Sequence, residues 1–234
     1  MHDVFFISYD EPLAEQNWQR LLTFAPFARR IDGVKGIRAA HQQAAALSNT
    51  ASFFVVDGDA WMVDDWNFTA EFFDDIRLPF PGRSEADCVL VWQSRNPYNG
   101  LTYGYGGLKL LPKKPMLRAV TGVDVTTSIC DCFMPLDWIA CETRFAGSPL
   151  HAWRGAFREC AKLASSVISE GNPQSRAWLD VWTSTAQGEY AEYILAGAQQ
   201  GRNYGIENAQ DADKMIMIND YAWMEKRYEE SFQQ

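Results

Sequence analysis

The apolar run Phe53-Phe54-Val55-Val56 ends abruptly in Asp57-Gly58-Asp59. A β-branched and aromatic run of this length, bounded by polar residues, reads as a buried strand of a parallel sheet. Such a strand needs cover on both faces, so a chain built around it alternates strands with helices. Two carboxylates one residue apart at the C-terminal end of the strand lie where open α/β sheets bind ligands. Gly58 between them lets backbone and cation approach closely. Hard oxygen ligands suit Mg²⁺ or Mn²⁺, ions that also hold substrate phosphates. On an extended strand Asp57 and Asp59 point to one face and can share a cation holding a diphosphate. The alternative is a turn with solvated carboxylates. The nearby pair Asp64-Asp65 reads as capping or solvated.

The flanking pattern supports an α/β chain. Val4 to Ser8 reads as the first strand, and Pro12 to Phe24 as a helix with Leu13, Trp18, Leu21 and Leu22 inward. A short strand over Ala28 to Asp32 precedes a helix over Gly36 to Ser48, which buries Ile37, Ala40, Ala44 and Leu47. His41 falls on that apolar side and reads as a core histidine. Trp61-Met62-Val63 is expected to pair beside the Asp57 strand. Cys88 to Gln93 and Leu108 to Leu111 are further strands, and Phe133 to Phe145 reads as a strand with a bend. Ser148 and Pro149 form a strong helix start, followed by Leu150, Trp153, Phe157, Cys160, Ala164 and Val167 at helical spacing. Asn172-Pro173 starts another helix. Gly188 to Gln200 is helical, with Gly201 as its expected end. Asp213 to Phe232 is helical, with Met215 to Ile218 open to a strand start. The resulting fold class is a mainly parallel, mixed sheet flanked by helices. It is expected as one domain, with a core over residues 1–171 and a helical appendage over 172–234.

The Asp-x-Asp pattern after a strand resembles the DxD motif of GT-A (Rossmann-like) glycosyltransferases, which use a metal-bound nucleotide-sugar donor. The stretches VFFISYDEP, RIDGVKGIRAAHQQAA, FFVVDGDAWMVDDWNF, GYGGLKLLPK and AWRGAFRECAKLAS are similar to glycosyltransferase-like proteins of tailed bacteriophages, over roughly residues 3 to 170. Some relatives of that group are thought to glycosylate hydroxymethylcytosine in phage DNA, among them arabinosyltransferases. The resemblance implies a UDP-sugar donor, Mn²⁺ or Mg²⁺, and metal ligation by Asp57 and Asp59. It places a nucleoside at the strand ends, with Tyr9 beside Ser8 contacting the base, and Asp32 accepting from a uracil imide or a ribose hydroxyl. It places the loop Tyr103-Gly104-Tyr105-Gly106-Gly107-Leu108-Lys109 beside the sugar and acceptor, with Lys109 on a phosphate or sugar hydroxyl. Arg158, in its Phe-Arg-Glu stretch, would neutralise the leaving diphosphate. His151 is open as an extra metal ligand or as a polar group at a helix N-terminus.

The residues add their own arguments. Lys35 and Arg38 sit three apart in a first helical turn. Cations there oppose the helix dipole, and a helix start that gathers them suits an anion; solvated surface cations are the competing reading. Gly106 and Gly107 permit close backbone approach to a ligand. Arg154, Arg158 and Lys162 form an i, i+4 row, expected as a solvated face with ion pairs or as a basic surface. With three His in the chain, a general base for an acceptor hydroxyl is a carboxylate: Asp124, Asp131, Asp137, Glu142 or Glu159.

Composition narrows the class. A net charge of −9 disfavours a general nucleic-acid-binding protein but leaves room for a local basic groove. Five cysteines without a secretion signal are expected as reduced, buried thiols, since Cys130-x-Cys132 with Cys141 does not match zinc spacing. No run is long enough to span a membrane and no signal peptide is present, so the expectation is a cytoplasmic protein, in the host cell if phage-encoded. The expected activity is sugar transfer from a nucleotide-sugar to a hydroxyl, with 5-hydroxymethylcytosine in DNA as the sharper acceptor. A glycan, protein or small-molecule acceptor is the alternative. A non-catalytic nucleotide-binding phage protein is the reading from a different class.

Overall fold

The computed structural model describes residues 1–68, 81–104, 106–120, 122–167 and 173–232. The chain separates into two compact units. The first comprises Met1–Asn96, Thr102–Thr121 and Val125–Arg144; the second comprises Pro97–Leu101, Gly122–Asp124 and Phe145–Gln234.

The first unit is a mixed sheet with helices on both faces. Its strands are β1 (Asp3–Ser8), β2 (Arg29–Asp32), β3 (Ser52–Asp57), β4 (Ala60–Met62), β5 (Val89–Arg95), β6 (Thr102–Tyr103), β7 (Leu108–Pro112) and β8 (Phe133–Thr143). The order is β2-β1-β3-β7-β5-β8-β4, with β6 paired to β5. Helix α1 (Ala14–Leu22) links β1 to β2, and α2 (Ile37–Leu47) links β2 to β3. Alternation along β1 explains the layering. Val4 and Phe6 share a core with Ala14 and Leu21 of α1, whereas Phe5 and Ile7 share one with Ala40, Ala44 and Ala45 of α2. The two helices therefore cover opposite faces. Since β2 and β3 flank β1 on either side, the sheet has a switch point between β1 and β3.

Several expectations change in this unit. The sheet is mixed, as expected, but not mainly parallel. β1 runs parallel to β2 and β3, and β5 to β8, but β7 is antiparallel to both β3 and β5, and β4 to β8. β7 takes the edge of β3 that Trp61-Met62-Val63 was expected to use, pairing Phe53 to Val56 with Leu111 to Leu108. β4 pairs instead with Thr143 to Cys141 of β8. In α2 the buried stripe is Ala40, His41, Ala44 and Ala45; Ile37 and Leu47 are exposed. Small residues let this helix lie close to the sheet and rotate its larger ones outward. In α1, Ala14 and Asn17 join Leu21 inside, leaving Leu13 and Leu22 half-buried. The bend expected in Phe133 to Phe145 is present: Trp92 faces Leu136 and Gln93 faces Ile139, so β8 bulges at Asp137 and Trp138.

The cysteines also differ from expectation. Cys88 and Cys132 are joined in a disulfide, with Cα atoms 4.6 Å apart. They precede the paired strands β5 and β8, where Val89 N donates to Cys132 O at 2.8 Å. This strand pairing, unseen in the spacing, brings two thiols 44 residues apart into bonding distance. Cys130, Cys141 and Cys160 are free.

The second unit is helical: α5 (Pro149–Ala164), α6 (Ser175–Ser184), α7 (Ala191–Asn208), α8 (Ala212–Ile216) and α9 (Tyr221–Phe232), with a 3₁₀ turn over Met217–Asn219. Two short helices, α3 (Lys113–Arg118) and α4 (Val125–Ser128), belong to the first unit. Ser148 caps α5 by accepting from His151 N, with Pro149 at its first position. Asn172 lies outside the described residues, and the helix expected there begins at Ser175. Gly201 does not end α7. A Cβ on Gly197, Gly201 or Gly205 would fall 2.2, 2.2 or 2.4 Å from the carbonyl oxygen of Trp153, Phe157 or Ala161. These glycines let α7 lie directly on the α5 backbone. Met215 to Ile218 is helical, its Met215 and Ile218 buried with Trp153 and Phe157. Among the described residues no helix is long and apolar enough to cross a membrane.

Candidate functional site

The C-terminal ends of β1, β2 and β3 lie along one sheet edge, with Ser8 opposite Asp32 and Ile7 opposite Asp57. This is the crevice side of the switch point. β3 ends at Asp57, and Gly58-Asp59 form a turn into β4. Asp59 is thus set by a turn and not by strand alternation. Asn17 holds that turn by donating from Nδ2 to Gly58 O at 2.8 Å. A Cβ on Gly58 would sit 2.6 Å from Glu11 Oε2 and 3.1 Å from Ile7 O. A side chain at 58 would have to displace the carboxylate of Glu11 and would crowd the β1 backbone. Glu11 is anchored in turn by Tyr9 N, which donates to Oε2 at 2.8 Å.

Three carboxylates therefore crowd this turn. Burial, then Asp57, then Glu11 push the Asp59 carboxyl up to about 7. Burial is also the main cause that raises Glu11, with Asp10 and Asp57 adding to it. Asp57 has its own counter-charge. Lys109 Nζ donates to Asp57 Oδ1 at 2.6 Å and to Gly106 O at 2.6 Å, and Lys109 is only 2% exposed. The glycine-rich loop makes this possible. Gly106 takes φ +78°, and Gly107 O accepts from Asp57 N at 2.9 Å. A Cβ on Gly107 would lie 2.9 Å from Cys141 Sγ. Burial is the chief cause that pushes that thiol up to about 12, so Cys141 is a neutral packing group. Tyr105 lies outside the described residues.

The expected nucleoside residues form a second cluster on the same edge. Buried Ser8 donates from Oγ to Asp32 Oδ1 at 2.5 Å and accepts from Arg30 Nε at 3.0 Å. Arg30 also pairs with Asp32 at 3.2 Å and Glu15 at 2.6 Å. Tyr9 is exposed. Lys35 precedes Gly36, the cap of α2, and Arg38 occupies the second helical position. Neither makes a side-chain hydrogen bond or ion pair among the described residues.

The five base candidates divide. Glu142 accepts from Arg144 Nη2 at 2.8 Å and Nε at 3.1 Å, and Arg95 Nη1 lies 3.5 Å away. Asp131 is clamped by Arg83 at 2.8 and 2.9 Å, and exposed Asp137 accepts from Gln93 at 3.5 Å. Asp124 and Glu159 belong to the second unit, where Lys162 Nζ bridges them at 3.3 and 3.2 Å. Burial works against the charged form of Lys162, but those two carboxylates outweigh it and hold its pKa above the ordinary value. Arg158 donates from Nη2 to Asn219 Oδ1 at 2.9 Å, and His151 Nδ1 shares a 2.7 Å hydrogen bond with Ser148. The row Arg154, Arg158 and Lys162 is not a solvated face: Arg154 is buried under Tyr221, 3.9 Å from its ring centroid.

Sequence reasoning missed Glu11, Asn17 and Arg30. Asn17 carried a signal, as a polar residue on the inward stripe between Ala14 and Leu21. Glu11 and Arg30 carried none, because their roles depend on neighbours brought by the β1–β3 and β1–β2 pairings.

Among the described residues no group of three or more His, Cys, Asp or Glu side chains is arranged to hold a metal ion. Asp57 and Asp59 alone do not make a closed protein cage. Two carboxylates with open positions are nonetheless the donor set that Mg²⁺ takes when substrate phosphates complete its shell. Asp59, crowded by like charge, fits a divalent cation; Asp57 offers the oxygen that Lys109 leaves free. No protein family, no curated protein and no solved structure matches the chain.

Proposed function

We propose that the chain is a metal-dependent GT-A-type glycosyltransferase that moves a sugar from a nucleotide-sugar, a UDP-sugar, to an acceptor hydroxyl. The observation that carries this reading is Asp59. It sits at the sheet switch point, beside Asp57 and Glu11, with its carboxyl driven up to about 7. An acidic turn left short of positive charge favours a divalent cation, and a diphosphate would complete that cation's shell. Ser8, Tyr9 and Asp32 would receive the nucleoside on the same edge. Lys35 and Arg38, without partners among the described residues, would meet the diphosphate. The bound metal would stabilise the charge of the departing diphosphate. Lys109 would hold Asp57 in place and fix the glycine-rich loop.

Calorimetry of UDP binding with and without Mn²⁺ tests this. Wild type should bind UDP in a Mn²⁺-dependent manner, and Asp59→Ala should lose that dependence while keeping its fold. Metal-independent binding of equal strength in both proteins would overturn the proposal.

The acceptor is proposed as 5-hydroxymethylcytosine in DNA on the strength of the sequence resemblance. A second reading, an uncharged glycan, protein or small-molecule hydroxyl, is favoured by a specific observation. The row expected as a basic surface is engaged internally: Lys162 by Asp124 and Glu159, Arg158 by Asn219, and Arg154 by Tyr221. Duplex binding requires free cations to neutralise phosphates. Transfer to hydroxymethylated DNA that falls steeply with salt would support the DNA acceptor; transfer only to an uncharged acceptor, insensitive to salt, would support the second.

A further inference from the structure

A cleft of about 370 Å³ opens on the second unit between α7 and α9. We infer that it is a binding site for a small zwitterion of the α-amino-acid type, with a carboxylate on Arg227 and an ammonium group on Glu207 and Glu230. The volume lies in the range of small-ligand sites. The chemistry of the lining selects the ligand.

Arg227 is the anchor. Its Cζ lies 5.2 Å from the Tyr204 ring centroid, 5.3 Å from Trp223 and 5.6 Å from Phe157. Contacts with ring faces fix a guanidinium without using its N–H donors. Among the described residues the Arg227 guanidinium makes no hydrogen bond and no ion pair. Such a fork of donors matches a carboxylate or a phosphate.

The same cleft separates these two possibilities. Glu207 and Glu230 also line it, yet neither pairs with Arg227. Glu207 has no partner at all among the described residues, and Glu230 reaches only exposed Lys226, at 4.0 Å. Opposite charges thus line one cavity without pairing. Two carboxylates repel a phosphate dianion but attract an ammonium group. A ligand that carries both signs satisfies both sides. Gln200 adds a donor: its Oε1 accepts from Trp153 Nε1 at 3.2 Å and Ser231 Oγ at 3.1 Å, which leaves its amide N–H groups for the cleft.

The site is independent of the sugar-transfer reading. The test is a titration of the full chain, free of nucleotide and metal, followed through the arginine Nε–H resonances. L-alanine and L-glutamate serve as zwitterions, with acetate, methylammonium and inorganic phosphate as controls that carry one sign of charge only. The expected result is a saturable shift of the Arg227 signal by the amino acids, with acetate and methylammonium weaker by at least about tenfold. Glu207→Gln, an exposed change that should not disturb folding, should weaken the amino acids and leave acetate unchanged or tighter. Absence of a saturable shift with either amino acid would overturn the inference. So would acetate or phosphate binding as tightly as the amino acids, which would mark an anion site only.

Discussion

Replacing Asp59 by Asn should stabilise the fold above neutral pH while removing metal-dependent donor binding. The magnitude follows from linkage. The Asp59 carboxyl has its folded value raised from 3.8 to about 7. Below about pH 4 both folded and unfolded chains hold the proton, so Asp59 costs nothing. Between about pH 4 and 7 the unfolded chain releases it and the folded chain retains it, so stability falls as pH rises. Above 7 the penalty is constant. A rise of this size corresponds to about 4 kcal/mol, and the partial solvent access of Asp59 reduces it to about 2 to 4 kcal/mol. Asn mimics the protonated acid and carries none of this penalty. In urea denaturation followed by tryptophan fluorescence, with a chelator present, the two proteins should be equally stable near pH 4. The variant should be more stable by about 2 to 4 kcal/mol at pH 8. Adding Mn²⁺ with UDP at pH 8 should stabilise wild type alone. Stabilities that change in parallel from pH 4 to 8 would refute the argument, because the crowding of like charge at the turn would then be absent.

Further outcomes follow from the same contacts. Lys109→Met should destabilise the chain by about 3 kcal/mol in thermal melting at pH 8, because it leaves Asp57 without its ammonium partner. Gly201→Ala should destabilise despite the roughly 1 kcal/mol that Ala gains over Gly in a helix. Its Cβ would fall 2.2 Å from Phe157 O, and two helix backbones must separate to admit it; a raised melting temperature would contradict this. Peptide mapping without reductant should recover Cys88 linked to Cys132. Cys88→Ser should cost about 2 to 4 kcal/mol in chemical denaturation, as expected for opening a long loop.

The local signals in the sequence were strong where one element decides its own structure. The apolar runs Val4–Ile7, Phe53–Val56 and Val89–Trp92 form β1, β3 and the start of β5, and Ser148-Pro149 starts α5 as expected. Errors arose where a partner decides. Gly201 reads as a helix stop when taken alone, but the Phe157 carbonyl beside it makes it an interior contact. Trp61 to Val63 reads as a neighbour of β3, but β7 competes for that edge and wins it. Ile37 and Leu47 fit the helical period but lose the inward face to alanines that pack closer. Cys88 and Cys132 have no readable spacing, since their pairing is a property of β5 lying parallel to β8. At the site, Asp57, Asp59, Gly106, Gly107 and Lys109 were legible as a set of residue types. Their connections were not: nothing in a linear pattern tells that Lys109 ends on Asp57, or that Glu11 occupies the space a side chain at Gly58 would need.

Those connections make the two aspartates unequal. Asp57 accepts from a buried ammonium that also holds the Gly106 carbonyl, so its charge is compensated and ties the loop to β3. Asp59 lies among carboxylates, and its ionised form is disfavoured. A cation arriving at this turn gains more from Asp59, because it relieves repulsion there, whereas at Asp57 it must share an oxygen pair with Lys109. Asp57 is therefore the fixed arm of the turn and Asp59 the responsive one. Binding a metal would lower the Asp59 carboxyl toward its ordinary value and release a proton near neutral pH. A chain selected for stability alone would place Asn at 59. An ionised carboxyl at this crowded turn works against the fold above pH 7, a cost consistent with a turn that acts on a ligand.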